Sequence, residues 1–122
     1  MEIKKIDYNF SVCKVVDYSL VNLHSQFCFI EKTDNENSLV CLTSDVPINA
    51  TQSEDGWKAF RVQGSLDFSL IGILSKICNI LANNNISIFA ISTYNTDYVF
   101  VKENNFQKSL NILGENGYNV IE

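Results

Sequence analysis

The run Ser92-Thr93-Tyr94-Asn95-Thr96-Asp97 places hydroxyl, amide and carboxylate groups side by side. Such donors and acceptors can satisfy an ammonium group and the polar atoms of a small metabolite. The same residue types suit a hairpin turn, whose geometry Asn95 and Asp97 tolerate, and both readings stand. Asp67 has a similar double use, as the cap of a following helix or as the partner of a cationic group. Gly72 falls in the first turn of that helix, where glycine costs roughly 1 kcal/mol relative to alanine. Two reasons for it are available: close approach of a ligand anion to unpaired helix N–H groups, or tight packing of the helix on a sheet.

Other chemistry finds little support. His24 is the single histidine, which excludes a multi-histidine metal site, and no oriented second and third group accompanies it. Cys13, Cys28, Cys41 and Cys78 contain no Cys-x-x-Cys pair and each sits in an apolar run, so buried, reduced thiols are expected rather than redox or metal roles. The chain lacks Gly-x-Gly-x-x-Gly and Gly-Lys-Ser/Thr phosphate loops. Glu31, Asp34, Glu36, Asp45, Glu54 and Asp55 read as a solvated acidic face. We therefore expect no enzymatic activity, no cofactor and no metal.

The 122 residues are enough for one domain or for two very small units sharing a core. With 46% hydrophobic and 19% charged residues the chain has the balance of a globular protein rather than a disordered one. A formal charge of −5, with its nine Lys and Arg scattered, offers no footprint for a phosphate backbone, so nucleic acid is not an expected partner. The start, Met1 to Asp7, has no apolar core with a cleavage site, and no apolar run reaches the ~20 residues of a membrane span. A cytoplasmic protein without membrane partners is expected.

The elements that must position the polar run follow from periodicity. Tyr8 to Val16, Phe27 to Lys32 and Leu39 to Thr43 alternate as strands, the last two forming a hairpin. Asp45 to Gly56 reads as a loop or short helix around Pro47, and Trp57 to Gln63 as a strand that Gly64 ends. Leu70, Ile73, Leu74, Ile77 and Leu81 keep the spacing of one buried helix face, with Asp67 or Ser69 as N-cap and Asn83-Asn84-Asn85 as a stop. Ile86 to Thr93 is a strand with bulky groups on both faces, which implies cover on both sides. Tyr98 to Lys102 is its partner, Phe106, Leu110 and Leu113 mark a second helix ended by Gly117, and Tyr118 to Ile121 closes the chain. The first half fits the same order only with short helices near Tyr18 to Leu23 and Val46 to Thr51.

The βαββαβ order of the second half, with Ser69-Leu70-Ile71-Gly72-Ile73-Leu74 followed by Asn85-Ile86-Ser87-Ile88, resembles the ACT domain, the effector-binding fold of aspartate kinase and phosphoglycerate dehydrogenase. Gly56 to Gly64, Phe68 to Leu74 and Ile86 to Val99 are similar to short bacterial proteins with two fused ACT-like units, themselves similar to the ACT pairs of the CASTOR arginine sensor. The resemblance implies an α+β, ferredoxin-like sandwich of two ACT-like units in tandem, with antiparallel sheets and helices on one face. Residues 1–56 would form a degenerate unit and residues 57–122 a full ACT domain.

It also implies a regulatory module that senses an amino acid, with a structural dimerisation module as the alternative; the apolar groups on both faces of Ile86 to Thr93, with helices for one face only, lead us to expect a homodimer. The ligand site would lie between Asp67, Ser69, Leu70, Ile71, Gly72 and Ile73 on one side and Ser92, Thr93, Asn95, Thr96 and Asp97 on the other. Helix N–H groups near Gly72 would take a carboxylate, and Asp97, with Asp67 as second choice, an ammonium or other cation. The first half has Val16 to Leu23 where the glycine loop would sit, and no glycine before Gly56. Leu70 and Ile71 beside Gly72 supply no carboxylate for an arginine side chain, so arginine is not favoured over other amino acids.

Overall fold

A computed structural model describes residues 1–63 and 72–122. Among these, the chain runs β1 (Glu2–Val15), β2 (Cys28–Lys32), β3 (Asn37–Leu42), β4 (Ala50–Gln63), α1 (Ile73–Ala82), β5 (Ile88–Ser92), β6 (Asp97–Lys102), α2 (Phe106–Glu115) and β7 (Asn119–Ile121). It divides into two units, one of Met1–Asp7 with Lys58–Glu122 and one of Tyr8–Trp57. The 14-residue strands β1 and β4 each contribute to both. No described helix is long and apolar enough to cross a membrane.

The unit containing both helices is α+β, with strand order β7-β1-β4-β6-β5. β5 and β6 pair antiparallel, whereas β7 pairs with β1 in parallel through Ile3 opposite Val120, a departure from the all-antiparallel expectation. The helices form where periodicity places them. Ile77 and Leu81 of α1 and Phe106, Leu110 and Leu113 of α2 are buried with Ile3, Phe60, Val62, Ile86, Val99 and Val101 in one core. Fully burying each such aliphatic side chain contributes about 1.5–3 kcal/mol.

Both helices stop at the residues that signal a stop. After α1, Ile86 N–H donates to Leu81 O and Asn85 N–H to Ala82 O, with Asn85 at φ 61°. After α2, Tyr118 N–H donates to Leu113 O and Gly117 N–H to Gly114 O, with Gly117 at φ 93°. These paired bonds define a Schellman ending, which needs a residue able to adopt a left-handed backbone.

The unit of Tyr8–Trp57 has strand order β2-β3-β1-β4 and no α-helix. The short helices expected near Tyr18 to Leu23 and Val46 to Thr51 are turns instead, and β4 already begins at Ala50. Side chains that bond their own backbone compete with helix formation. Asp17 Oδ1 accepts from Ser19 N–H at 3.0 Å, and Asn22 Oδ1 from His24 N–H at 3.1 Å. Leu20 and Leu23 are left exposed, so no apolar helix face exists to dock. The polar stretch Thr51 to Asp55, expected as loop, is strand, and its side chains bond to β1: Ser11 Oγ donates to Asp55 Oδ1 at 2.5 Å and Cys13 Sγ to Ser53 Oγ at 3.6 Å.

Cys13 and Cys41 are buried, Cys28 and Cys78 half-buried, and all four are free thiols. Burial, reinforced by the neighbouring Cys13, pushes the Cys41 thiol up to about 12. Burial also raises Cys28 and Cys78, with Asp45 and Asp97 adding their negative charge. Only the thiolate reacts with disulfide reagents, and at pH 8 a thiol of pKa near 12 carries roughly a thousandth of the thiolate of a free cysteine. Native protein at pH 8 should therefore label slowly and unfolded protein should label fully, four thiols per chain. Rapid labelling of Cys41 in the native state, read by mass spectrometry, would contradict this packing.

Candidate functional site

The β5–β6 hairpin closes on itself. Thr93 N–H donates to Thr96 O at 2.8 Å, Thr93 Oγ1 to the same carbonyl at 3.0 Å, and Thr96 N–H to Thr93 Oγ1 at 3.3 Å. The Thr96 hydroxyl donates to Val62 O of β4 and so fastens the turn to the end of that strand. At the root of the hairpin, Ser92 and Asp97 are cross-strand partners and Ser92 Oγ donates to Asp97 Oδ1 at 2.5 Å. The hydroxyls of the polar run thus build the turn.

Beside this turn lies a cleft of about 270 Å³ lined by Arg61, Val62, Gln63, Thr93, Asn95, Thr96 and Tyr98. Its volume suits a small metabolite rather than a drug-sized or polymeric ligand. Arg61 and Gln63 alternate on β4 and so point to the same side, and Arg61 Nε donates to Gln63 Oε1 at 3.0 Å. Arg61 Nη1 donates to the Tyr98 phenol oxygen at 3.2 Å, and the guanidinium carbon stands 6.0 Å from the Tyr98 ring centroid. A strand turns successive side chains to opposite faces. Val99 and Val101 join the core under the helices, so Asp97 shares their side of β6 while Tyr98 turns to the other.

Of the residues singled out from the sequence, Thr93, Asn95 and Thr96 line the cleft. Ser92 and Asp97 pair with each other at its edge, and Asp97 is close enough to Cys78 of α1 to raise that thiol. Gly72 is the N-cap of α1 with φ 79° and ψ 8°, and its carbonyl accepts from Lys76 N–H at 2.9 Å. A Cβ built there meets no described residue within 4 Å, and the left-handed backbone is itself a reason for glycine. Ile73 lines a second cleft of about 250 Å³ with Met1, Lys76, Asn116, Gly117 and Tyr118. Asp67, Ser69, Leu70 and Ile71, with the N-cap assigned to Asp67 or Ser69, lie outside the described residues.

Sequence reading passed over Arg61, Gln63 and Tyr98. One signal was present: Arg61 is the only arginine in the chain and stands between the apolar Phe60 and Val62. Among the described residues no group of three or more His, Cys, Asp or Glu is placed to hold a metal ion.

Comparison with known proteins places this geometry in context. The sequence pattern of the ACT domain family matches residues 52–115. No curated protein matches the sequence. Among solved structures, a protein of Agrobacterium tumefaciens superposes with a TM-score of 0.87 at 26% identity, covering 98% of this chain and 91% of that one. A Vibrio cholerae protein of unknown function, described as a possible transport protein, gives 0.68 at 20% identity, covering 93% and 88%. The regulatory subunit of aspartate kinase from Thermus thermophilus gives 0.61 at 6% identity, covering 94% and 96%, which is a likeness of fold alone.

Proposed function

Because the chain belongs to the ACT domain family, we propose that it is a regulatory module that binds an amino acid at the hairpin end of its helix-containing unit. The observation that carries this reading is the Arg61 cleft, a small polar concavity formed by the same hairpin whose residues have the chemistry for a metabolite. Two further contacts belong to the proposal. The first N–H groups of α1, after Gly72, have no partner within the helix and suit the ligand's α-carboxylate. The segment Asp67 to Ile71 would lead the chain into that end. Asp97, next in sequence to Thr96 of the cleft, would take the ammonium. The fold likeness to a regulatory subunit of aspartate kinase supports a regulatory rather than a catalytic role. Two tandem ACT-like units, residues 1–56 degenerate and residues 57–122 a full ACT domain, are part of the same proposal, which the lack of an α-helix in the Tyr8–Trp57 unit supports.

Thermal melting against each of the twenty amino acids tests it. A ligand that binds only the folded chain stabilises it by about 2.7 kcal/mol at a hundred times its Kd, a rise of roughly 10 °C for a protein of this size. At least one amino acid should produce such a rise. If none does so at millimolar concentration, a dimerisation module without a ligand becomes the better reading.

A further inference from the structure

Among the described residues, Arg61 is the only charged side chain lining the cleft. A guanidinium carries five N–H donors and no acceptor. Two of the five are engaged, by neutral partners: Gln63 Oε1 on Nε and the Tyr98 phenol oxygen on Nη1. Among the described residues no carboxylate pairs with Arg61, the ion pairs there being Lys5 with Glu122 and Lys58 with Asp7. The Gln63 amide has its oxygen committed to Arg61. Asp97 is bonded to Ser92 and shares the side of β6 occupied by Val99 and Val101. A half-buried cation with no counter-charge among the described residues is suited to receive an anion. Its free donors on the two terminal nitrogens suit the forked geometry of a carboxylate.

We infer that the ligand is an acidic amino acid, its side-chain carboxylate held by Arg61 in the cleft. The inference rests on the amino-acid reading above and adds the ligand's charge. The α-carboxylate and ammonium groups are common to all amino acids, so the contacts proposed for Gly72 and Asp97 cannot select among them. Arg61 supplies the selection, because a neutral amide of the same shape leaves the guanidinium without its counter-charge.

Isosteric pairs isolate that charge. Calorimetric titration should find L-glutamate binding more than about tenfold tighter than L-glutamine, or L-aspartate more than about tenfold tighter than L-asparagine, the scale of a charge-assisted hydrogen bond. Arg61→Gln should abolish the preference while leaving the melting temperature of the unliganded protein close to the parent's. Arg61→Lys, which keeps the charge but loses the fork, should retain part of the preference and serves if the first variant does not fold. Equal or tighter binding of the neutral member of both pairs, or of L-arginine, overturns the inference and leaves the amino-acid reading intact. Binding of none of the twenty amino acids overturns the reading beneath it.

Discussion

Phe60→Ala should cost about 3–5 kcal/mol and lower the melting temperature by roughly 10–20 °C. Phe60 is fully buried on β4, in a core to which β1, β6, α1 and α2 all contribute. Removing its ring takes away apolar area and leaves a cavity that the surrounding strands and helices can only partly close. Because native domains are stable by only about 5–15 kcal/mol, the loss would leave the variant near its threshold at 37 °C. Ile48→Ser is the matched control: its side chain is 96% exposed, and substitutions at such sites usually change stability by less than ~0.5 kcal/mol. Thermal melts followed by circular dichroism read both. A Phe60→Ala melt within two or three degrees of the parent would mean that the core is not organised around β4.

Asp97→Asn should leave stability nearly unchanged and weaken the amino acid ligand by ~1.5–3 kcal/mol. Asparagine keeps the size of the side chain, and its oxygen can still accept from Ser92 Oγ at the root of the hairpin. What disappears is the negative charge proposed to meet the ligand's ammonium. Titration of acidic and neutral amino acids should show equal weakening for both, since the ammonium is common to them, whereas Arg61→Gln should weaken only the acidic one. An unchanged affinity for every ligand in Asp97→Asn would remove Asp97 from the site and leave it a hairpin residue. The same variant has a structural readout. The Cys78 thiol is raised first by burial and second by the charge of Asp97, so it should become more acidic and label faster in the native state.

The sequence by itself determined the elements whose physics is local. The faces of α1 and α2 follow from apolar side chains spaced by three and four residues, and their ends follow from Asn85 and Gly117, which adopt the left-handed backbone that a Schellman ending requires. The β2–β3 and β5–β6 hairpins follow from alternation on either side of a polar turn, and the turn at Thr93 to Thr96 is built by its own hydroxyls and backbone. In each case the residues that decide the structure lie within one or two turns of one another along the chain.

Only the tertiary structure decided what depends on distant partners. β1 begins at Glu2 rather than Tyr8 because Glu2 to Lys4 pair with Asn119 to Ile121, strands brought together from opposite ends of the sequence. The polar half of β4 is strand, and Ser11 and Cys13 of β1 bond to its Asp55 and Ser53, which no local pattern reveals. The expected helices near Tyr18 and Val46 give way to turns; near Tyr18, Asp17 and Asn22 bond backbone two residues on, and Leu20 and Leu23 stay exposed. The cleft is the same kind of object. Thr93, Asn95 and Thr96 could be singled out by type, but their neighbour Arg61 lies on another strand, and a lone arginine gains meaning only when the sheet sets Tyr98 beside it and no described carboxylate pairs with it. Side-chain type is written in the chain, whereas which charge faces which cavity is set by strand order and by the alternation of faces.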